Sequence, residues 1–72
     1  HQKANFNLFP NPAGDYFYIN VSHKMSGSLY NIFGQRLIDF ETDSHTPVNI
    51  KNLSAGVYIV NVGGSSRKIV KN

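Results

Sequence analysis

With 72 residues and a formal net charge of +3, the chain is long enough for one domain with a small core. The absence of cysteine excludes a disulfide framework and a thiolate metal site. The longest apolar runs are only a few residues, which excludes a membrane-spanning helix, and the basic residues form no stripe with interleaved aromatics, which disfavours a nucleic-acid partner.

The first five residues are polar and show no periodic pattern. We interpret residues 1–5 as a linker or a remnant of an expression tag. No signal peptide with a positive, an apolar and a small-residue region opens the chain, so we expect any export leader to lie upstream. The predicted folded domain is residues 6–72.

Apolar residues of the domain alternate with a period of two, which predicts β-strands rather than helices. Phe17, Ile19 and Val21 share one face of a strand, with Tyr16 and Tyr18 on the other. The same alternation places Ile38 with Phe40, and Tyr58 with Val60 and Val62. We predict seven strands, over residues 6–9, 16–21, 28–33, 36–41, 48–50, 57–62 and 67–71.

Proline and glycine residues separate these predicted strands. Pro10 and Pro12 fix φ and remove donors, so the Pro10-Asn11-Pro12 block belongs to neither a helix nor a central strand. Gly34 is predicted at the first central position of a two-residue type II′ hairpin over residues 33–36.

A second group of turn residues precedes the strongest predicted strand. Leu53 is expected to reach the core from the turn over residues 52–56, and Gly56 is expected to hold a positive φ. Residues 63–66, with two glycines, predict a further hairpin loop. Short strands separated by such turns indicate a compact antiparallel β-sandwich.

Several polar groups could in principle support chemistry. Asp39, Glu41 and Asp43 recur at every second residue, as a calcium site would allow, but no glycine-turned calcium loop is present and a solvated face is favoured. Ser44 and His45 beside Asp43 supply the residue types of a hydrolytic triad without its geometry. The three histidines are far apart in sequence. We therefore expect no catalytic residue, no metal and no cofactor.

Tyr16 and Tyr18 are predicted on the face of their strand that is turned away from the core. Exposed tyrosines can stack on sugars or anchor a protein partner. The alternative is that they cover the rim of the sheet or pack under the proline loop.

The order and spacing of four blocks carry a family resemblance. The blocks are Phe6-Asn7-Leu8-Phe9-Pro10-Asn11-Pro12, Leu29-Tyr30-Asn31-Ile32-Phe33-Gly34-Gln35-Arg36, Leu53-Ser54-Ala55-Gly56-Val57-Tyr58-Ile59-Val60-Asn61-Val62 and Arg67-Lys68-Ile69-Val70-Lys71. In this order they resemble the C-terminal sorting domain (type A) of cargo proteins of the type IX secretion system, found in Bacteroidetes-type bacteria. The resemblance covers residues 6–71.

This resemblance implies an all-β fold, a compact seven-stranded antiparallel immunoglobulin-like β-sandwich, and a non-catalytic role as a secretion signal. It implies that an N-terminal cargo domain crosses the periplasm, that the outer-membrane translocon recognises the domain, and that a surface sortase-like protease cleaves before the Pro-Asn-Pro block, around residues 1–5. The cargo would then be released outside or held at the cell surface.

The resemblance also assigns residues. It implies that the terminal strand of Lys68, Ile69, Val70 and Lys71 carries much of the export signal, and Asn72 departs from relatives that end near the lysine. The remaining motif positions are taken as structural: Pro10, Asn11, Pro12, Gly34, Leu53, Gly56 and Tyr58.

The last strand has a second interpretation, as an edge strand that its charges protect from edge-to-edge pairing. In either case we expect Lys68 and Lys71 to be surface residues whose substitution leaves stability nearly unchanged. Two other functions stay open for the whole domain. It could be a carbohydrate-binding or adhesive module that uses Tyr16, Tyr18 or Tyr30, or a structural spacer of the fibronectin type.

Overall fold

The computed structural model of the chain describes residues 6–72, so the linker expected over residues 1–5 lies outside the described residues. Seven strands and no helix are present in this range. The strands are β1 (Asn7–Phe9), β2 (Tyr16–Asn20), β3 (Met25–Tyr30), β4 (Arg36–Thr42), β5 (Val48–Asn49), β6 (Gly56–Val62) and β7 (Ser65–Lys71). The predicted all-β class and strand number are confirmed.

Two antiparallel sheets form a sandwich. One has three strands in the order β1-β2-β5, and the other has four in the order β4-β3-β6-β7. This is the immunoglobulin-like arrangement in which the fourth strand joins the sheet of the third, sixth and seventh strands. Nothing helical in residues 6–72 could cross a bilayer.

The core lies between the two sheets. Phe17 and Ile19 of β2 face Leu29, Val60 and Ile69 of the four-stranded sheet, and all five side chains are fully buried. The alternation read from the sequence is therefore correct for β2 and β6, because each strand has one face toward the core. Partly buried apolar side chains complete the cluster: Leu8, Met25, Ile38, Phe40 and Leu53.

Strand β3 begins and ends earlier than predicted, at Met25 and Tyr30 instead of residues 28 and 33. Gly27, which precedes the predicted start at residue 28, lies within the strand. The ring of Phe40 and the side chain of Val62 cover it, since a Cβ added at Gly27 would come 2.6 Å from Phe40 Cε1 and 2.8 Å from Val62 Cγ2. Phe40 and Val62 fill the space that a side chain of β3 would otherwise occupy.

The prediction of a type II′ hairpin at Gly34 is wrong. Gly34 N–H donates to Asn31 O (3.1 Å) and Asn31 N–H donates to Gln35 O (3.0 Å), so the loop has three residues. Gly34 has φ +83° and ends this loop. The deciding group is the Asn31 side chain, whose Oδ1 accepts from the amides of Phe33 and Gln35 at 2.9 and 3.0 Å.

The loop between β6 and β7 is shorter than predicted. Val62 pairs directly with Ser65, and Gly63 and Gly64 have φ of +59° and +81°. Positive φ at both central residues defines a type I′ turn. Ser65 and Ser66 therefore already belong to β7.

One side of the sandwich is closed by the connection between β1 and β2, which crosses to β7. Ala13 N–H donates to Val70 O (2.7 Å), and Asn72 N–H donates to Ala13 O (2.8 Å). The Asn11 carboxamide accepts from Val70 N–H (3.0 Å) and donates to Lys68 O (3.3 Å). Asn11 thus bonds to the edge of β7 as a peptide group of a neighbouring strand would. We call these contacts of residues 11–13 with β7 the clamp.

We predict that Asn11→Ala lowers the free energy of unfolding by roughly 1–2 kcal/mol, because two hydrogen bonds to β7 are lost while the exposed partners are rehydrated. Urea denaturation measures the change. The control is Asn52→Ala, an exposed asparagine in the connection between β5 and β6. Equal midpoints for the two variants would contradict a stabilising role for the Asn11 carboxamide.

Gly56 begins β6 with φ +153°, so the predicted positive φ is confirmed, and a Cβ added there meets nothing within 4 Å. We predict that Gly56→Ala costs about 1–3 kcal/mol through backbone strain alone. Gly14→Ala is the matched control, since Gly14 also has open space but no positive φ. Thermal melting compares the two, and a Gly56→Ala melting temperature as high as that of Gly14→Ala would refute the strain.

Candidate functional site

The terminal strand β7 places its motif residues on two different faces. Ile69 is fully buried and Lys71 is 8% exposed, whereas Lys68 is exposed and Val70 is half-buried. Only Lys68 and Val70 can therefore meet a partner through their side chains on the outer face of the sheet.

The expectation that Lys71 is a surface residue is wrong. The period of two puts Lys71 on the same face as Ile69, and its partner in the β6–β7 register is Gly56. Lys71 also forms a β-bridge with the buried Ala13, and its Nζ donates to Asn72 O at 3.2 Å. A substitution at Lys71 consequently changes packing as well as charge.

The edge of β7 that faces away from β6 has two parts that differ in their contacts with the clamp. At Val70 and the Lys68 carbonyl the clamp occupies the edge. Within the described residues, Ser66, Arg67 and the amide of Lys68 form no hydrogen bond with the clamp and make up the first half of β7 on this side. The Pro10-Asn11-Pro12 block and the terminal motif, far apart in sequence, thus form one structural unit. The peptide bonds before Pro10 and Pro12 are both cis.

Three other motif residues form the corner between β5 and β6. Tyr58 is 8% exposed and its hydroxyl donates to Ser54 O at 2.6 Å, an arrangement similar to the tyrosine corner of immunoglobulin-like sandwiches. Leu53 packs against the core as predicted. Together with the positive φ of Gly56, these contacts hold the start of β6 in place, which is a structural role.

A cluster of aromatic side chains lies on the outer face of the three-stranded sheet. Tyr16 is 49% and Phe9 46% exposed, and the Phe9 ring stacks on that of Tyr18 with centroids 5.6 Å apart. Sequence reasoning placed Tyr16 and Tyr18 on this face correctly but missed Phe9, which the alternation within β1 could have indicated. Tyr30 belongs to β3 in the other sheet and does not join them.

The acidic residues do not converge on one point. Asp39 accepts from Ser28 Oγ (2.7 Å) and lies 3.6 Å from Arg36 Nε, while Glu41 lies 3.4 Å from Lys24 Nζ. All three of these contacts lie on the solvated outer face of the four-stranded sheet, as expected. In residues 6–72, no three side chains of the metal-binding types come together.

Asp43 stabilises a turn in the loop between β4 and β5. Its Oδ1 accepts from the backbone N–H of His45 (2.8 Å) and from Thr46 Oγ1 (3.0 Å). These hydrogen bonds hold the pKa of the Asp43 carboxyl below its usual value, the His45 amide contributing most. The Asp43-Ser44-His45 sequence therefore forms a loop in which the acid bonds to backbone, an arrangement unlike that of a hydrolytic triad.

Comparison with known proteins bears on the role of this sandwich. Residues 7–72 match the family described as secretion system C-terminal sorting domain. No curated protein matches the chain at a significant level. The family match covers all seven strands, including the clamp and the terminal motif. The chain therefore belongs to the C-terminal sorting domains of the type IX secretion system, a family of generally non-catalytic signals that implies an N-terminal cargo, interaction with the type IX machinery and secretion to the cell surface or outside.

Proposed function

We propose that this domain takes its cargo from the periplasm through the outer membrane by presenting β7 to the type IX translocon. The family match carries the proposal. The clamp supports it, because Asn11 and Ala13 hold the terminal strand in one defined position. A receptor could then recognise a folded surface instead of a flexible tail.

The four motif residues have different roles in this proposal. Lys68 offers an exposed positive charge, and Val70 offers half-buried apolar surface on the same face. Ile69 anchors the strand in the core, and Lys71 is buried at its end, beside Ala13. The export signal is thus read at Lys68 and Val70, while Ile69 and Lys71 keep it in place.

The second part of the proposal concerns removal of the domain at the cell surface. A sortase-like protease cleaves around residues 1–5, and the cargo is released or attached to lipopolysaccharide. The fold supports this position because residues 7–9 are already paired with β2, whereas proteases need an extended accessible segment. Cleavage before β1 would leave the sandwich intact.

We predict that Lys68→Glu blocks export of a reporter fused to residues 6–72 in a host with this secretion system. Because Lys68 is exposed, we expect this substitution to change the free energy of unfolding by about 0.5 kcal/mol or less. Lys51→Glu makes the same charge change at an exposed site in the connection between β5 and β6 and should be exported normally. Normal export of folded Lys68→Glu would contradict a role for this charge.

Lys71 requires a different test from Lys68, because it is buried. We predict that Lys71→Met keeps an apolar stem of similar length in this buried position and is exported, while Lys71→Glu lowers the melting temperature and is retained. Deletion of residues 68–72 removes Ile69 and the clamp together, so we expect it to unfold the domain. Loss of export by a fully stable Lys71→Met variant would show that the translocon reads this charge directly.

A second candidate function is carbohydrate binding by the outer face of the three-stranded sheet. The observation that favours it is the exposure of Tyr16 and Phe9, with Asn20 and Asn49 exposed on the same face. Aromatic rings with neighbouring amides suit uncharged sugars. Retardation by neutral polysaccharides in native gels, lost in Tyr16→Ala, would support this function, and unchanged mobility would oppose it.

A further inference from the structure

A groove lies where the edge strands of the two sheets, β1 and β7, face each other. We call it the seam, and it is lined by Asn7, Leu8, Asn11, Ser66, Arg67 and Lys68. The clamp closes it at the end near Val70. Away from the clamp, the described residues that line the seam on the β7 side are Ser66, Arg67 and Lys68.

The backbone of β7 can accept a further strand in the seam. The main-chain N–H and C=O of Val70 point toward the clamp. Because every second residue of a strand points these groups to the same edge, the N–H and C=O of Ser66 and Lys68 point to this edge as well. Within residues 6–72, the hydrogen bonds along this edge end at the Lys68 carbonyl. The amide of Lys68 and both main-chain groups of Ser66 are therefore available to an added strand.

The charged side chains that line the seam determine which kind of peptide strand it favours. Arg67 and Lys68 line it, and the described residues that line it include no carboxylate. Arg67 lies with its guanidinium 5.8 Å from the Phe6 ring centroid, which holds this charge beside β1. Asp39 and Glu41 are on β4, at the opposite edge of the four-stranded sheet.

We propose that the seam binds an extended, acidic peptide segment of the export machinery by strand addition to Ser66–Lys68. The proposal rests on the proposed function for the source of the segment. Backbone hydrogen bonds give such a complex its register, and acidic side chains opposite Arg67 and Lys68 give it selectivity. The clamp prevents the added strand from extending along Val70.

The test uses the 72-residue chain and two blocked heptapeptides of valine and threonine. One has two adjacent glutamates at its centre and the other has two adjacent lysines there, so that charges face both sides of the added strand. Amide NMR signals are followed during titration at low salt. We expect the acidic peptide to shift the signals of Ser66, Arg67 and Lys68 and to slow hydrogen exchange at the Ser66 amide. We expect added salt to weaken this binding, and the basic peptide not to bind.

Two matched variants separate backbone pairing from side-chain effects. Ser66→Pro removes the outward N–H at an edge position that tolerates proline, and should weaken the acidic peptide roughly fivefold or more. Ser66→Ala keeps the N–H, loses only the hydroxyl that accepts from Asn61 Nδ2, and should bind normally. Lys68→Gln should weaken binding, whereas Lys51→Gln should not.

Several results would overturn the proposal. The first two are NMR signal changes confined to β4 or to the aromatic face, and equal binding of both peptides. The others are full peptide affinity of a folded Ser66→Pro variant, and a concentration-dependent dimer that shifts the seam signals without peptide. Reporter export that continues without peptide binding would refute this inference and leave the proposed function standing. Peptide binding at the seam together with a retained reporter would support strand addition and contradict the proposed function.

Discussion

The clamp is the contact on which the arrangement of this domain depends. The two sheets otherwise meet through apolar side chains, which are non-directional and leave room for sliding. Hydrogen bonds from Asn11 and Ala13 to β7 are directional, and they join a connection between two strands of one sheet to the edge of the other. They set the position of the last strand relative to the first, in a domain whose core is too small to tolerate much looseness.

A consequence is that the terminal motif and the fold cannot be separated residue by residue. Ile69 is both part of the terminal motif and part of the core, and Lys71 is buried beside Ala13 of the clamp. Loss of either side chain changes the packing of β7 as well as its surface. Lys68 is the motif residue whose charge can be altered with the least effect on packing, since its side chain is exposed.

The distribution of charge gives the four-stranded sheet two different edges. On β4, Asp39 and Glu41 have Arg36 and Lys24 as neighbours, which reduces the field of each acid. On β7, Arg67 and Lys68 stand beside amides, a hydroxyl and apolar groups. Within residues 6–72, the clamp bonds to this basic edge at Val70 and at the Lys68 carbonyl, and not at Ser66. Charge and exposed backbone therefore point to the same side of the molecule as the place for a partner strand.

The sequence alone determined the strands whose two faces differ in polarity, because alternation along β2 and β6 follows directly from the pleat. It also determined the family, since the order of the motif blocks is a property of the chain. Only the tertiary structure decided what depends on residues distant in sequence. Gly27 lies within a strand because the Phe40 ring covers it, and Lys71 is buried where Ala13 of the clamp crosses beside it. Asn11 takes the place of a backbone partner because β7 lies beside it. Side-chain alternation is local, whereas these contacts require two segments to meet in space.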